Sequence, residues 1–214
     1  MISVLNGVQR ALVLCAHTDD EFGCAGTMLR LTEIGVTVRY LALSRCEASV
    51  PAGLPADVLE HECRACVAAI GVAPDAVEVD SFPVRYFPEH RQAILERFYQ
   101  LNKDYQPDVV FLSSSFDNHQ DHATVYAEGF RAFKRSTLLG YELPQNVTSF
   151  ENSAFVCLSE AQLKGKIEAL AHYRSQGFRS YAAPEYIEGL ARVRGVQCGS
   201  LFAEAFEAIR VIIR

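Results

Sequence analysis

Residues 11–16 (ALVLCA) form an uninterrupted apolar run, and it constrains the fold of this 214-residue chain more than any other segment. A run of that length suits a strand covered on both faces, as in a parallel sheet packed between helices. After a polar turn, residues 24–34 place Met28, Leu29, Leu31 and Ile34 along one helical stripe, with Gly35 as the stop. Residues 36–43 (VTVRYLAL) are β-branched and apolar, which completes a strand–helix–strand unit. Residues 44–55 read as loop. The alternation then continues with a helix over 56–70, a short strand over 76–80, a helix over 89–105 and a buried strand over 108–113. Further on come a helix from about 121 to 133, a strand over 154–158 and a helix over 160–176, while 204–212 suits either state. The pattern predicts an α/β protein, a Rossmann-like three-layer α/β/α sandwich with a mostly parallel sheet. No repeat or linker-like composition shift divides the chain, so one domain over 1–214 is expected.

Composition narrows the partners. Twenty basic residues face 26 acidic ones, the net charge is -6, and no block of Lys and Arg relieves it. Nucleic acid is therefore not an expected partner. The first ten residues lack the basic start and apolar stretch of a secretory leader, and no segment approaches the roughly 18 apolar residues of a membrane span. The expectation is a cytoplasmic protein without membrane insertion. Seven cysteines (15, 24, 46, 63, 66, 157 and 198) are an odd number in mostly apolar surroundings and read as reduced, mostly buried thiols. The absence of tryptophan argues mildly against a broad aromatic platform for stacking sugars.

In doubly wound sheets, ligands sit beyond the carboxyl ends of the strands, so the loops beginning at Ala16 and Ser114 should face one crevice. The first reads Ala16-His17-Thr18-Asp19-Asp20-Glu21 and the second Asn118-His119-Gln120-Asp121-His122. Carboxylates crowded this closely repel one another unless a cation lies among them. His17, Asp20 and His122 make a two-histidine, one-carboxylate set with water in the remaining position, an arrangement typical of catalytic zinc. Mixed nitrogen and oxygen donors suit zinc best, and iron, cobalt or manganese would accept them too. Taken singly, each loop has a plainer explanation. Acidic residues favour a helix N-terminus, Asp121 would serve as an N-cap, and His119 as a surface turn residue. Their joint occurrence at two strand ends favours the metal reading.

These residues carry a resemblance. AHTDDE at 16–21 and HQDH at 119–122 resemble the two signature motifs of the PIG-L/LmbE-like N-deacetylases, zinc hydrolases of N-acetylated amino sugars. The likeness runs from the first strand through PDVVFLSSSFDNHQDH to the segment 166–176. Where the family usually has proline this chain has Thr18, a change that loosens the turn but removes no ligand or proton carrier. The resemblance implies zinc on His17, Asp20 and His122, Asp19 as general base, and a protonated His119 facing the substrate carbonyl oxygen. It also implies Asp121 as a supporting carboxylate able to orient an imidazole, with Glu21 in support rather than in the chemistry. The implied function is removal of the N-acetyl group, as acetate, from a small amino sugar or its conjugate: a glycoside, nucleotide sugar or lipid-linked sugar. The partner is then a small N-acetylated sugar, and family members often form homo-oligomers. An amidase for non-sugar N-acyl amines and a non-catalytic, metal-retaining homologue are the alternatives.

Glu47, after the second strand, and Arg85, after the third, stand where a carboxylate or guanidinium would meet sugar hydroxyls or a phosphate; solvated surface charges explain them equally well. Arg45 and Arg91 are weaker candidates. Cys63-Arg64-Ala65-Cys66 has redox-motif spacing but falls inside a helix, where buried packing is the better account. Ser113–Ser115 lacks the G-x-S-x-G turn of serine hydrolases. Gly23 and Gly26 do not make G-x-G-x-x-G, and the acidic side chains beside them would repel a pyrophosphate. His172 reads as a packed or surface histidine.

Overall fold

The structure, a computed structural model, describes residues 7–213. Residues 1–6, part of the segment read for a leader, lie outside the described residues. The chain runs β1 (Arg10–Cys15), α1 (Ala25–Glu33), β2 (Thr37–Ala42), α2 (Val58–Ala69), β3 (Val77–Val79), α3 (Arg91–Tyr105) and β4 (Val109–Ser113). It continues through α4 (Gln120–Ala132), β5 (Thr137–Tyr141), β6 (Ala154–Leu158), α5 (Glu160–Leu170), α6 (Pro184–Cys198) and β7 (Phe202–Arg210). The strands form a seven-stranded sheet in the order β3-β2-β1-β4-β5-β7-β6. The first five are parallel, and β7 runs antiparallel to both β5 and β6.

Alternation along β1 divides the core between two faces. Ala11, Val13 and Cys15 pack with Met28 and Leu31 of α1, Cys63 and Val67 of α2, Leu163 of α5 and Ile187 of α6. Leu12, Leu14 and Ala16 pack with Ile94, Leu95 and Phe98 of α3 and Val125 of α4. The result is the expected helix–sheet–helix sandwich. The strand order also fixes the site. From β1 the chain winds one way through β2 and β3, then returns to β4 on the other side of β1. The β1/β4 junction is the topological switch point, where the two outgoing loops diverge and leave a crevice.

Several boundaries differ from those expected. The helix read over 160–176 ends at Leu170, followed by a 3-10 turn over Arg174–Gln176. That turn lets Tyr173 reach inward to the Thr18 carbonyl and the Glu21 carboxyl. The ambiguous tail is a strand, β7, while β5 and α6 are elements that the sequence pattern does not announce. Five cysteines are buried, including Cys63 and Cys66, whereas Cys157 is exposed and Cys198 half-buried. No helix among the described residues is long and apolar enough to cross a membrane.

Candidate metal and active site

His17 is the second residue beyond β1. Its own N–H donates to Asp20 Oδ2 at 2.8 Å, which closes the turn and fixes that carboxylate. Asp19 makes no side-chain cap bond to the following 3-10 turn, so helix capping does not account for it. The second loop delivers His122 from the first turn of α4, and His119 is the N-cap of that helix, its Nδ1 accepting the Asp121 N–H at 3.2 Å.

A carboxylate orients each inner imidazole. Asp121 Oδ2 lies 3.0 Å from His17 Nε2, and Asp117 Oδ2 lies 2.7 Å from His122 Nδ1. With protons held on those outer nitrogens, the lone pairs of His17 Nδ1 and His122 Nε2 face each other at 3.0 Å. Asp20 Oδ1 completes the group, 3.3 Å from His122 Nε2 and 3.7 Å from His17 Nδ1. Bonds of about 2.0–2.1 Å to a tetrahedral ion place neighbouring donors about 3.3 Å apart. The three atoms fit that requirement, and confronted lone pairs beside a carboxylate need a cation between them. His119 is near enough to be a further donor, the ligand atoms of His17, His119 and His122 all lying within 4.8 Å of one another.

The electrostatics agree. Burial alone would lower both inner histidines, but the Asp20 charge and the hydrogen bond to Asp121 raise His17 to about 8. The Asp20 charge and the bond to Asp117 likewise raise His122 to about 10. Without a metal, the centre thus takes up protons. Burial would raise Asp20, yet His122 and His17 hold it well below the usual carboxylate range. Asp19 is raised, by burial first and then by Asp20. For His119, burial and then its two imidazole neighbours lower the pKa. With Nδ1 accepting the Asp121 N–H, Nε2 is the remaining ring nitrogen of His119.

The centre opens into a cleft of about 440 Å³. His17, Asp19, Asp20, His119 and His122 line it, as does Arg85. Glu47 does not: it is exposed, and its neighbours Cys46 and Ser49 face the cleft instead. Glu21 is fully buried, accepts a hydrogen bond from Tyr40 at 2.9 Å, and is raised by burial to about 8. Asp117, Asn146, Gln176, Arg179 and Tyr181 were not anticipated. Asp117 lies five residues before His122 across a helix start, and the others line the cleft from loops without periodic pattern.

Fold and site together define a three-layer α/β protein with an imidazole–carboxylate centre at its switch point. The family model described as PIG-L, GlcNAc-PI de-N-acetylase, matches residues 12–133, more than half of the chain. The chain belongs to this family of hydrolases. Among solved structures, a conserved protein of Thermus thermophilus is similar at 24% identity, with TM-score 0.79 and 97% of each chain covered. The N,N'-diacetylchitobiose deacetylase of Pyrococcus horikoshii is 18% identical with TM-score 0.78, over 95% of this chain and 84% of that one. A 4-carboxy-2-hydroxymuconate hydratase of Pseudomonas putida is also 18% identical, with TM-score 0.73 over 96% and 98% of the two chains. At these identities the likeness concerns the fold, which evidently serves more than one reaction.

Proposed function

We propose that the chain acts as one catalytic domain that removes the N-acetyl group of a small amino sugar or its conjugate, with zinc held by His17, Asp20 and His122. The observation that carries this reading is the convergence of His17 Nδ1, His122 Nε2 and Asp20 Oδ1 within 3.0–3.7 Å of one another, in a cleft that Asp19 also lines. A bound divalent cation supplies Lewis acidity, lowering the pKa of water and polarising an amide carbonyl.

The protein's own groups divide the remaining work. Asp19 accepts the proton of the attacking water and later returns it to the departing amine; burial and the neighbouring Asp20 make it a stronger base than an ordinary aspartate. The His119 Nε2–H donates to the acetamide oxygen as negative charge develops there. Asp121 and Asp117 hold the two inner rings in register, and Glu21, bonded to Tyr40 and Tyr173, anchors the turn that carries Asp19.

The test is acetate release from N-acetylglucosamine conjugates and from non-sugar N-acetyl amines, with zinc content measured alongside. The expected result is hydrolysis of the sugar amides, with Asp19→Asn retaining zinc and losing about a hundredfold or more in turnover. Near-normal turnover in that variant would remove Asp19 from the chemistry. Preference for non-sugar amides would redirect the substrate, and inert, fully metallated protein would end the deacetylase reading.

A further inference from the structure

The seven cysteines differ in what they can do. Cys63 and Cys66, the pair with redox-motif spacing, are wholly buried, and burial raises both thiols well above the usual range. Cys46 lines the cleft, but burial pushes it up to about 12. Cys157 and Cys198 stand apart. They are 41 residues apart in sequence, yet their Sγ atoms lie 3.9 Å from each other, with Cys157 exposed and Cys198 half-buried.

The backbone on both sides holds this contact. Cys157 belongs to β6, the edge strand of the sheet, where Ala203 of β7 is its cross-strand partner and Arg30 Nη1 donates to its carbonyl. Cys198 is the last residue of α6, and the chain needs just residues 199–201 to turn into β7. Gly199 makes that turn with a φ of +74°, and the Ser200 N–H donates to the Gly195 carbonyl at 2.9 Å. The end of α6 is thereby tied to the same strand that fixes Cys157. The Cys198 S–H donates to the Gly195 carbonyl at 3.5 Å, which leaves its sulfur lone pairs for Cys157. Side-chain rotation that closes about 2 Å converts the contact into a bond.

We propose that Cys157 and Cys198 are a reversible disulfide site that reacts with a low-molecular-weight disulfide such as oxidised glutathione. The exposed Cys157 gives its proton to solvent, and its thiolate attacks one sulfur of the reagent. A mixed disulfide forms and one glutathione thiolate leaves. Cys198 then loses its proton, attacks Cys157 Sγ and displaces the second glutathione thiolate. Two protein thiols are oxidised, one reagent disulfide is reduced to two thiols, and those thiols take up the two protons. The order follows from access, and from the burial and Cys157 contact that raise Cys198. The bond closes a loop over 157–198 that contains α5, α6 and the cleft-lining Gln176, Arg179 and Tyr181. It restricts the unfolded chain and pins α6 to the sheet edge. The site lies four strands from β1, about 19 Å across the sheet, and does not depend on the deacetylase reading.

The experiment incubates the reduced protein with oxidised glutathione at neutral pH and follows intact mass, non-reducing peptide maps and Tm. The expected product has lost about 2 Da, carries one Cys157–Cys198 bridge, melts about 5–10 °C higher and returns to the starting state with dithiothreitol. Cys198→Ser should stop with glutathione on Cys157, because no second thiol resolves it. Cys157→Ser should react at least about tenfold more slowly than the unaltered protein. Phenylarsine oxide, which bridges two close thiols, should block oxidation of the unaltered protein, a readout that needs no variant. The proposal is overturned by failure to react, by a bridge between other cysteines, or by glutathione that stays on Cys157 in the unaltered protein. A Cys157–Cys198 bridge that does not raise Tm, or a Cys157→Ser protein that reacts as fast as the unaltered one, overturns it as well.

Discussion

Each inner imidazole of the centre depends on a carboxylate that sequence proximity does not announce. Asp121 bonds not to its neighbour His122 but to His17, across the crevice, and Asp117 serves His122. These contacts predict how protons and metal compete. In the metal-free protein His17 and His122 are raised from 6.5 to about 8 and about 10. A raised folded-state value means that their contribution to stability is fully present below pH 6.5 and fades as pH climbs through those two values. The metal-free protein should therefore lose stability between about pH 6.5 and 10 by this route, and zinc should bind more tightly as the rings give up their protons. Zinc titrated into chelator-stripped protein at pH 7 should release protons, seen as binding heat that varies with the ionisation enthalpy of the buffer. Heats independent of buffer would contradict these protonation states. Thr18 makes a separate prediction. Its hydroxyl is buried without a hydrogen-bond partner, so Thr18→Val should stabilise the protein by about 1 kcal/mol in urea denaturation.

At the scale of elements, the start of α1 depends on a strand far away in sequence. Glu204 of β7 accepts the N–H groups of Gly26 and Thr27 at 2.9 and 2.6 Å and pairs with buried Lys166 of α5 at 2.6 Å. Gly26 is needed for this approach, since a Cβ there would lie 2.6 Å from Leu158 Cδ1 and 3.0 Å from Glu204 Oε1. Glu204→Gln should cost about 3–5 kcal/mol, because it strands a buried ammonium as well as weakening two amide bonds. Lys166→Met together with Glu204→Gln should recover part of that loss, and equal losses in the single and double variants would show that Lys166 is not the cause. The same contacts explain why part of the fold escaped the sequence. Residues 11–16 and 109–113 are apolar nearly throughout and so declare themselves as strands. In β7, Glu204 and Glu207 bind α1 and the Ser114–Ser115 turn, and these acids disguise the strand. In α6 the buried positions are Ile187, Ala191 and Gly195, while Val193 and Val196 are exposed, so no clean apolar stripe marks the helix. The site was legible where its residues cluster in short motifs, His17 to Asp20 and His119 to His122. Arg179 and Tyr181 enter from a loop whose path only the packed structure defines.

At the scale of the molecule, the centre ties together the two halves of the sheet. His17 and Asp20 leave β1, beside the half that winds through β2 and β3, whereas His122 follows β4, from which the sheet extends to β5. A cation bound across this junction has no equivalent site in the unfolded chain, where residues 17 and 122 are far apart, so its binding energy becomes folding stability. Zinc at about one hundred times its dissociation constant should add about 2.7 kcal/mol. For a chain of this size that corresponds to a rise in Tm of roughly 5–10 °C, reversible by chelation. His122→Ala removes a donor from one half of the bridge and should abolish the rise, whereas Asp19→Asn should keep it while turnover collapses. Differential scanning calorimetry of the three proteins with and without zinc separates the roles. An undiminished rise in His122→Ala would place the cation elsewhere, and loss of the rise in Asp19→Asn would make Asp19 a ligand rather than the base.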